Sequence, residues 1–307
     1  MKILSRETFA KSKAYIQANC SPLTRHLFAH AFEGGDYQGV IQALSAFQNP
    51  DGGFGHNLEG DFMLPASSPT ATSVGFHILS ELGATAQEPL VQKGIAYLLS
   101  SFKPERKGWI PVPPEVNQYP HASWWHYLDA EGGSVIDRNW GNPTAELVGY
   151  LVQYRSLVPP DFLEPLYQHT LGYLRNSGDS MEMHELACFL RLAERMPQDD
   201  FLAVKDKLTK LVLNTVATDP QAWRGYSAHP LNFVSSPESF LYPPLAEAVR
   251  AYLDFLVESI QPDGTWTPPW SWNGYEAEWQ KARIEIIGRL TIATLKTLQR
   301  FGKIEQD

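Results

Sequence analysis

The segment His56-Asn57-Leu58-Glu59-Gly60-Asp61 sets two carboxylates two residues apart, directly after the turn Pro50-Asp51-Gly52-Gly53-Phe54. A carboxyl raised in pKa by apolar surroundings or by a like charge keeps its proton near neutrality and can deliver it to a substrate. Asp61 and Glu59 are therefore the candidate proton donors, with His56 beside them as a substrate contact. The other reading has both carboxylates closing the loop, on backbone amides or on an Arg.

A second concentration of chemistry-bearing residues is His121, Trp124, Trp125, His126 and Tyr127, flanked by Trp109 and Trp140. Aromatic faces attract a carbocation or stack on a sugar ring, so the cluster suits an isoprenoid or a glycan; it would equally anchor a long loop. A third group holds Trp266, Trp270, Trp272 and Tyr275, in which Trp270 and Trp272, after Pro268 and Pro269, are candidate cavity-lining residues and Trp266 is packing. Glu146 lies one turn inside a helix, where it faces a cavity or complements the helix dipole. His184 and Cys188 share a helix face but make at most half a zinc site, so no metal is expected. Gly52, Gly53 and Gly55 fit neither the Walker nor the Rossmann spacing, and no cofactor is expected.

The elements that must position these residues are helices. Apolar residues recur at three and four residue steps over 3–18, 37–47, 71–82, 89–100, 145–157, 162–174, 183–193, 201–216, 245–260 and 284–301, and no segment alternates as a strand would. The longest connection, 103–143, exceeds an ordinary helix link and reads as a functional loop or lid. Ser68-Pro69-Thr70-Ala71 recurs as Asn142-Pro143-Thr144-Ala145, each opening a helix with a cap residue and Pro at the first helical position. Gly75 and Gly149 then fall inside those helices, where a Gly costs about 1 kcal/mol against Ala and marks a close approach. A second repeat ends helices: Leu44 to Phe54 closes Gln-Asn-Pro-Asp-Gly-Gly-Phe, Leu256 to Trp266 closes Gln-Pro-Asp-Gly-Thr-Trp, and weaker copies end at Trp109 and Trp223. Helical hairpins that cannot bury their own apolar faces must stack on one another.

The Gln261, Gly264, Trp266 ending, with its variant Gln48, Gly52, Phe54, resembles the QW repeat of squalene and terpene cyclases. Gln48 to Gly55 followed by Ser67-Ser68-Pro69-Thr70-Ala71-Thr72 also looks like the loop and inner helix of protein prenyltransferase β subunits. The resemblance implies an all-α fold, an α/α toroid of helical hairpins with inner and outer layers around an aromatic-lined cavity, and a small apolar or isoprenoid ligand. The family's Asp-x-Asp-Asp, Asp-Asp-x-x-Asp and Asp-x-Cys strings are absent; Asp199-Asp200 reads as a charged helix start. The chain thus resembles a divergent member without the usual catalytic motifs.

The 307 residues are 43% hydrophobic and 19% charged, enough to bury a sizeable core, and nothing resembling a linker divides them, so one domain is expected. With 25 Lys and Arg against 34 Asp and Glu, the net charge of -9 argues against nucleic acid and anionic lipid as partners. Two cysteines, Cys20 and Cys188, cannot make a disulfide framework, and no apolar run approaches the roughly 20 residues of a membrane span. With no signal-peptide pattern at the start, a cytoplasmic protein is expected. Three functions are expected: a terpene cyclase-like or prenyltransferase-like protein that binds an isoprenoid in a central aromatic-lined cavity and transforms it by acid-initiated chemistry; a carbohydrate-active toroid, a glycosidase or lyase, pairing Glu59 and Asp61 with Asp129, Glu131 or Asp137; and a toroid that binds a ligand or partner without catalysis.

Overall fold

The computed structural model describes residues 2–305. Among them are eleven α-helices: α1 (Arg6–Asn19), α2 (Pro22–Phe32), α3 (Tyr37–Ser45), α4 (Pro69–Glu81), α5 (Pro89–Ser101), α6 (Gly141–Gln153), α7 (Pro160–Asn176), α8 (Met183–Ala193), α9 (Gln198–Thr215), α10 (Tyr242–Ser259) and α11 (Glu276–Arg300). β pairing among the described residues is confined to isolated bridges, so the all-α expectation holds. No helix is long and apolar enough to cross a membrane.

The chain forms two compact units. One holds the residues up to Ala43, Val216–Ser271 and the residues from Tyr275 on; the other holds Leu44–Thr215 with Trp272–Gly274. In the first unit α1, α2 and α11 pack together, and in the second α6 lies against α4, α7 and α8.

Local chemistry explains where these helices start. Ser68 Oγ accepts the Ala71 amide at 3.0 Å, with Pro69 at the first helical position. Ser21-Pro22 repeats the device, Ser21 Oγ taking the Thr24 amide at 3.4 Å, and opens α2, which the apolar spacing does not announce. The signal was the cap: Arg25, His26 and His30 interrupt an apolar stripe of which Leu23 and Phe28 are buried. Asn142 has the extended backbone of a cap residue, φ -102 and ψ 110, inside the span of α6.

Both helix glycines mark close approaches. A Cβ on Gly75 would lie 2.8 Å from the Phe54 ring, and one on Gly149 would lie 3.1 Å from the Leu192 Cα. The helix-ending turns share one construction. Gly52 and Gly264 have φ of 90° and 83°, a region open to Gly at little cost. The aromatic that follows is clasped to a threonine hydroxyl: Phe54 donates its amide to Thr72 at 3.0 Å, Trp109 to Thr144 at 3.4 Å and Trp266 to Thr291 at 3.4 Å. The indoles reach back to the preceding helix, Trp109 to the Leu98 carbonyl at 2.8 Å and Trp266 to the Leu256 carbonyl at 2.9 Å.

The connection between α5 and α6 is built from short 3-10 turns at Pro114–Gln118, Ser123–Trp125 and Val135–Arg138. It is pinned to the start of α4, where the Thr70 amide and hydroxyl both donate to the Pro111 carbonyl at 3.1 and 2.9 Å. Asn117 and Tyr127 clamp it from within through two reciprocal 2.8 Å bonds.

Candidate functional site

The loop after the first glycine turn runs antiparallel to the long connection. Phe62 bridges to His121, the Ala122 amide donates to the Asp61 carbonyl at 2.8 Å, and the Met63 amide to the Pro120 carbonyl at 2.8 Å. Trp272 closes the group from a distant stretch of sequence. Its carbonyl accepts the Ser123 amide at 3.1 Å, and its indole Nε1 donates to Asp61 Oδ1 at 3.0 Å. Glu59 Oε1 accepts the Asp61 amide at 3.2 Å, so the Glu59 carboxylate folds back on the loop backbone beside Asp61. Phe62 is fully buried and meets the Trp125 ring edge to face at 5.6 Å. Trp125 Nε1 is sealed from solvent without a partner, a state that costs about 1–3 kcal/mol.

His121 and His126 stack at 5.3 Å, with His121 Nε2 and His126 Nδ1 3.1 Å apart. The Tyr119 carbonyl, 2.6 Å from His121 Nδ1, can only accept, so the proton sits there. In the neutral pair His121 Nε2 then accepts from His126 Nδ1, leaving the exposed His126 with its Nε2 free of a proton. Of the sequence candidates, Asp61, Glu59, His121, Trp125, His126 and Trp272 come together in this cluster. Trp124 is half-buried beside it.

The remaining candidates lie elsewhere. His56 is exposed, in the left-handed region at φ 55, and its Nε2 is 2.9 Å from Asn49 Oδ1. Trp109 is fully buried against Phe102, serving the repeat turn described above. In the first unit Trp270 meets Tyr226 edge to face at 5.8 Å. Of the carboxylates considered for sugar chemistry, Glu131 is held by Arg138 at 2.8 Å and Asp137 by Arg106 at 3.0 Å. His184 pairs with Glu182 at 2.6 Å, and among the described residues no three His, Cys, Asp or Glu side chains are grouped to hold a metal.

Glu146 belongs to a second cluster, on facing turns of α4, α6 and α8. Its Oε2 accepts from Arg191 Nη1 at 2.9 Å and its Oε1 from the Tyr150 hydroxyl at 2.6 Å, with the Cys188 thiol 3.8 Å away. Burial alone would raise this carboxyl, but the charges of Arg191 and His77, the Tyr150 hydrogen bond and Arg195 outweigh it and hold Glu146 below the usual carboxylate range. Arg195 continues the network to Gln153 and Ser80 at 2.9 Å each, its guanidinium 4.7 Å above the Tyr150 ring. Sequence reasoning singled out Glu146 but passed over Arg191, Arg195 and His77. Single charges on amphipathic helices read as solvent-facing, and only the three-helix arrangement brings them together.

The comparisons with known proteins bear on this architecture. An Asp-to-Ala variant of the type II terpene cyclase MstE from Scytonema, in complex with its product merosterolic acid A, matches 96% of this chain and 97% of its own at 12% identity, with a TM-score of 0.55. The fold is terpene cyclase-like. An Arg-to-Ala variant of MstE in complex with its substrate geranylgeranyl dihydroxybenzoate matches 94% of this chain and 97% of its own at 13% identity, TM-score 0.54. No protein-family model and no curated protein matches the chain.

Proposed function

We propose that the protein binds an isoprenoid and starts its cyclisation by protonation, with Asp61 as the acid. The observation that carries this reading is the Asp61 carboxyl held by the Trp272 indole beside Phe62 and Trp125, in a chain whose fold matches a cyclase over nearly all its length. Asp61 would give its proton to a terminal alkene carbon, forming a C–H bond and a tertiary carbocation. The alkene electrons of the same molecule then close the ring, and a proton leaves the final cation. The neighbouring aromatic faces stabilise the cation by about 0.5–2 kcal/mol each. Glu59 and the Trp272 N–H fix the acid's orientation, while the aromatic wall keeps water from quenching the cation.

Geranylgeranyl dihydroxybenzoate, the substrate bound by MstE, and the farnesyl and geranylgeranyl alcohols are the first compounds to try in deuterium oxide. Protonation-initiated ring closure yields a product one mass unit heavier than its substrate and shifted in retention. Asp61→Asn should remove that product while leaving the melting temperature in place. An unlabelled product, or full turnover by Asp61→Asn, would exclude this acid.

A further inference from the structure

Asn273-Gly274 is the one Asn-Gly pair in the chain, and it follows directly on Trp272. Both residues are exposed, whereas Trp272 is buried. Asn273 and Tyr275 take the left-handed backbone, at φ 58 and φ 50, a region that residues with a Cβ seldom hold. Gly274, between them, is outside that region, and a Cβ built on it would meet nothing within 4 Å. Among the described residues its amide makes no hydrogen bond.

Two pairs of related chemistry are held differently. Asp51-Gly52 and Asp263-Gly264 end the repeat turns, where the Gly52 amide is spent on the Asn49 carbonyl and the Gly264 amide on the Gln261 carbonyl, at 2.9 Å each. Gly52 is pressed against the Lys93 carbonyl and Gly264 against the Ser12 backbone. A nitrogen bonded inside a packed turn cannot swing onto the side chain before it, and an ionised carboxylate is a poorer electrophile than an amide. The Gly274 nitrogen is restrained by neither a bond nor packing, so small local motions suffice to bring it onto Asn273.

We propose that Asn273-Gly274 is a self-modifying site whose product loosens the hold of Trp272 on Ser123 and Asp61. The Gly274 nitrogen attacks Asn273 Cγ: the N–Cγ bond forms, the Cγ–Nδ2 bond breaks, and ammonia leaves with the amide proton, closing a five-membered succinimide. Water then opens the ring. Addition at Cγ leaves aspartate at position 273, and addition at the backbone carbonyl carbon leaves isoaspartate, with the chain running through Cβ and Cγ. Isoaspartate lengthens the main chain by one methylene beside Trp272. The Trp272 carbonyl accepts the Ser123 amide at 3.1 Å and its indole donates to Asp61 at 3.0 Å, so the longer chain pulls on both bonds. Only the consequence for turnover through Asp61 rests on the cyclisation reading; the modification and the release of Ser123 do not.

The test is incubation of the intact protein in warm, mildly alkaline buffer, followed by mass mapping of the tryptic peptide 251–281, in which Asn273 is the sole asparagine. That peptide should gain one mass unit at a rate within severalfold of the synthetic peptide Ser-Trp-Asn-Gly-Tyr, and protein isoaspartyl methyltransferase should label the product. Gly274→Ala, whose Cβ enters open space, should slow the gain by an order of magnitude or more with an unchanged melting temperature. In the aged protein, deuterium uptake at the Ser123 amide should quicken in proportion to the isoaspartate formed. A native rate orders of magnitude below that of the free peptide, an equal rate in Gly274→Ala, or modification at Asp51 or Asp263 ahead of Asn273 would overturn the site. Isoaspartate with Ser123 uptake unchanged would overturn the release of Trp272. None of these readouts involves a substrate, so their outcome is separate from that of the cyclisation reading.

Discussion

Two carboxylates of the same unit are held in opposite ways. Asp61 lies in a loop, its Oδ1 bonded by an indole and its backbone paired with the long connection. Glu146 lies in a helix, bound by a guanidinium, a phenol and a thiol. The Trp272 N–H is a neutral donor to Asp61, whereas the Arg191 guanidinium beside the buried Glu146 carboxyl favours the charged form of Glu146. We therefore propose the loop as the place of acid chemistry, while the helix carboxylate is part of an ion-pair network.

The sharpest way to break this contrast is Asp61→Asn. Turnover should fall by about 10²- to 10⁴-fold, the usual share of a positioned acid, while unfolding is barely altered. Glu146→Ala should do the reverse in kind, costing about 1–3 kcal/mol in chemical denaturation, because the buried Tyr150 hydroxyl loses its acceptor and the half-exposed Arg191 its counter-charge. Gly149→Ala comes next: its Cβ meets the Leu192 backbone at 3.1 Å, so α6 and α8 must separate slightly, at about 1–3 kcal/mol.

The smallest effect is the acid limb. Because the folded pKa of Glu146 is below its ordinary value of 4.5, its contribution is present above that value and lost as pH falls through the folded pKa. Burial raises Glu185, so its contribution has the opposite sign, present below the ordinary value and lost as pH rises through the folded pKa. Melting curves between about pH 7 and pH 3 should flatten in Glu146→Gln. Steepening instead would show that the pair does not hold the carboxyl ionised.

Much of the fold was legible because its determinants are local. Ser-Pro caps, Pro-Asp-Gly turns and three and four residue apolar spacing fix helix starts and ends within a few residues of where they lie, and Asp199 and Asp200 do open α9. The repeat alignment aligns Thr72 with Glu146, yet the clasp that receives Trp109 is Thr144 and the one that receives Phe54 is Thr72. A repeat in sequence thus need not preserve contact register, because the intervening connections differ in length. Grouping Glu59 with Asp61 was local as well. The link of Asp61 to Trp272 spans 211 residues, and the Glu146 to Arg191 link spans 45, so neither leaves a spacing that a single chain reveals.

The clasped turns carry a consequence for how the molecule breathes. Phe54, Trp109 and Trp266 are all buried, and each amide is satisfied by a side-chain hydroxyl rather than by a backbone ladder. A turn amide in a helical protein ordinarily exchanges with solvent through local fraying, but releasing these three requires the turn to lift off the helix that receives it. Their deuterium uptake should therefore report sub-global opening of whole hairpins. Thr72→Val, Thr144→Val and Thr291→Val would turn those slow amides into fast ones, one hairpin at a time.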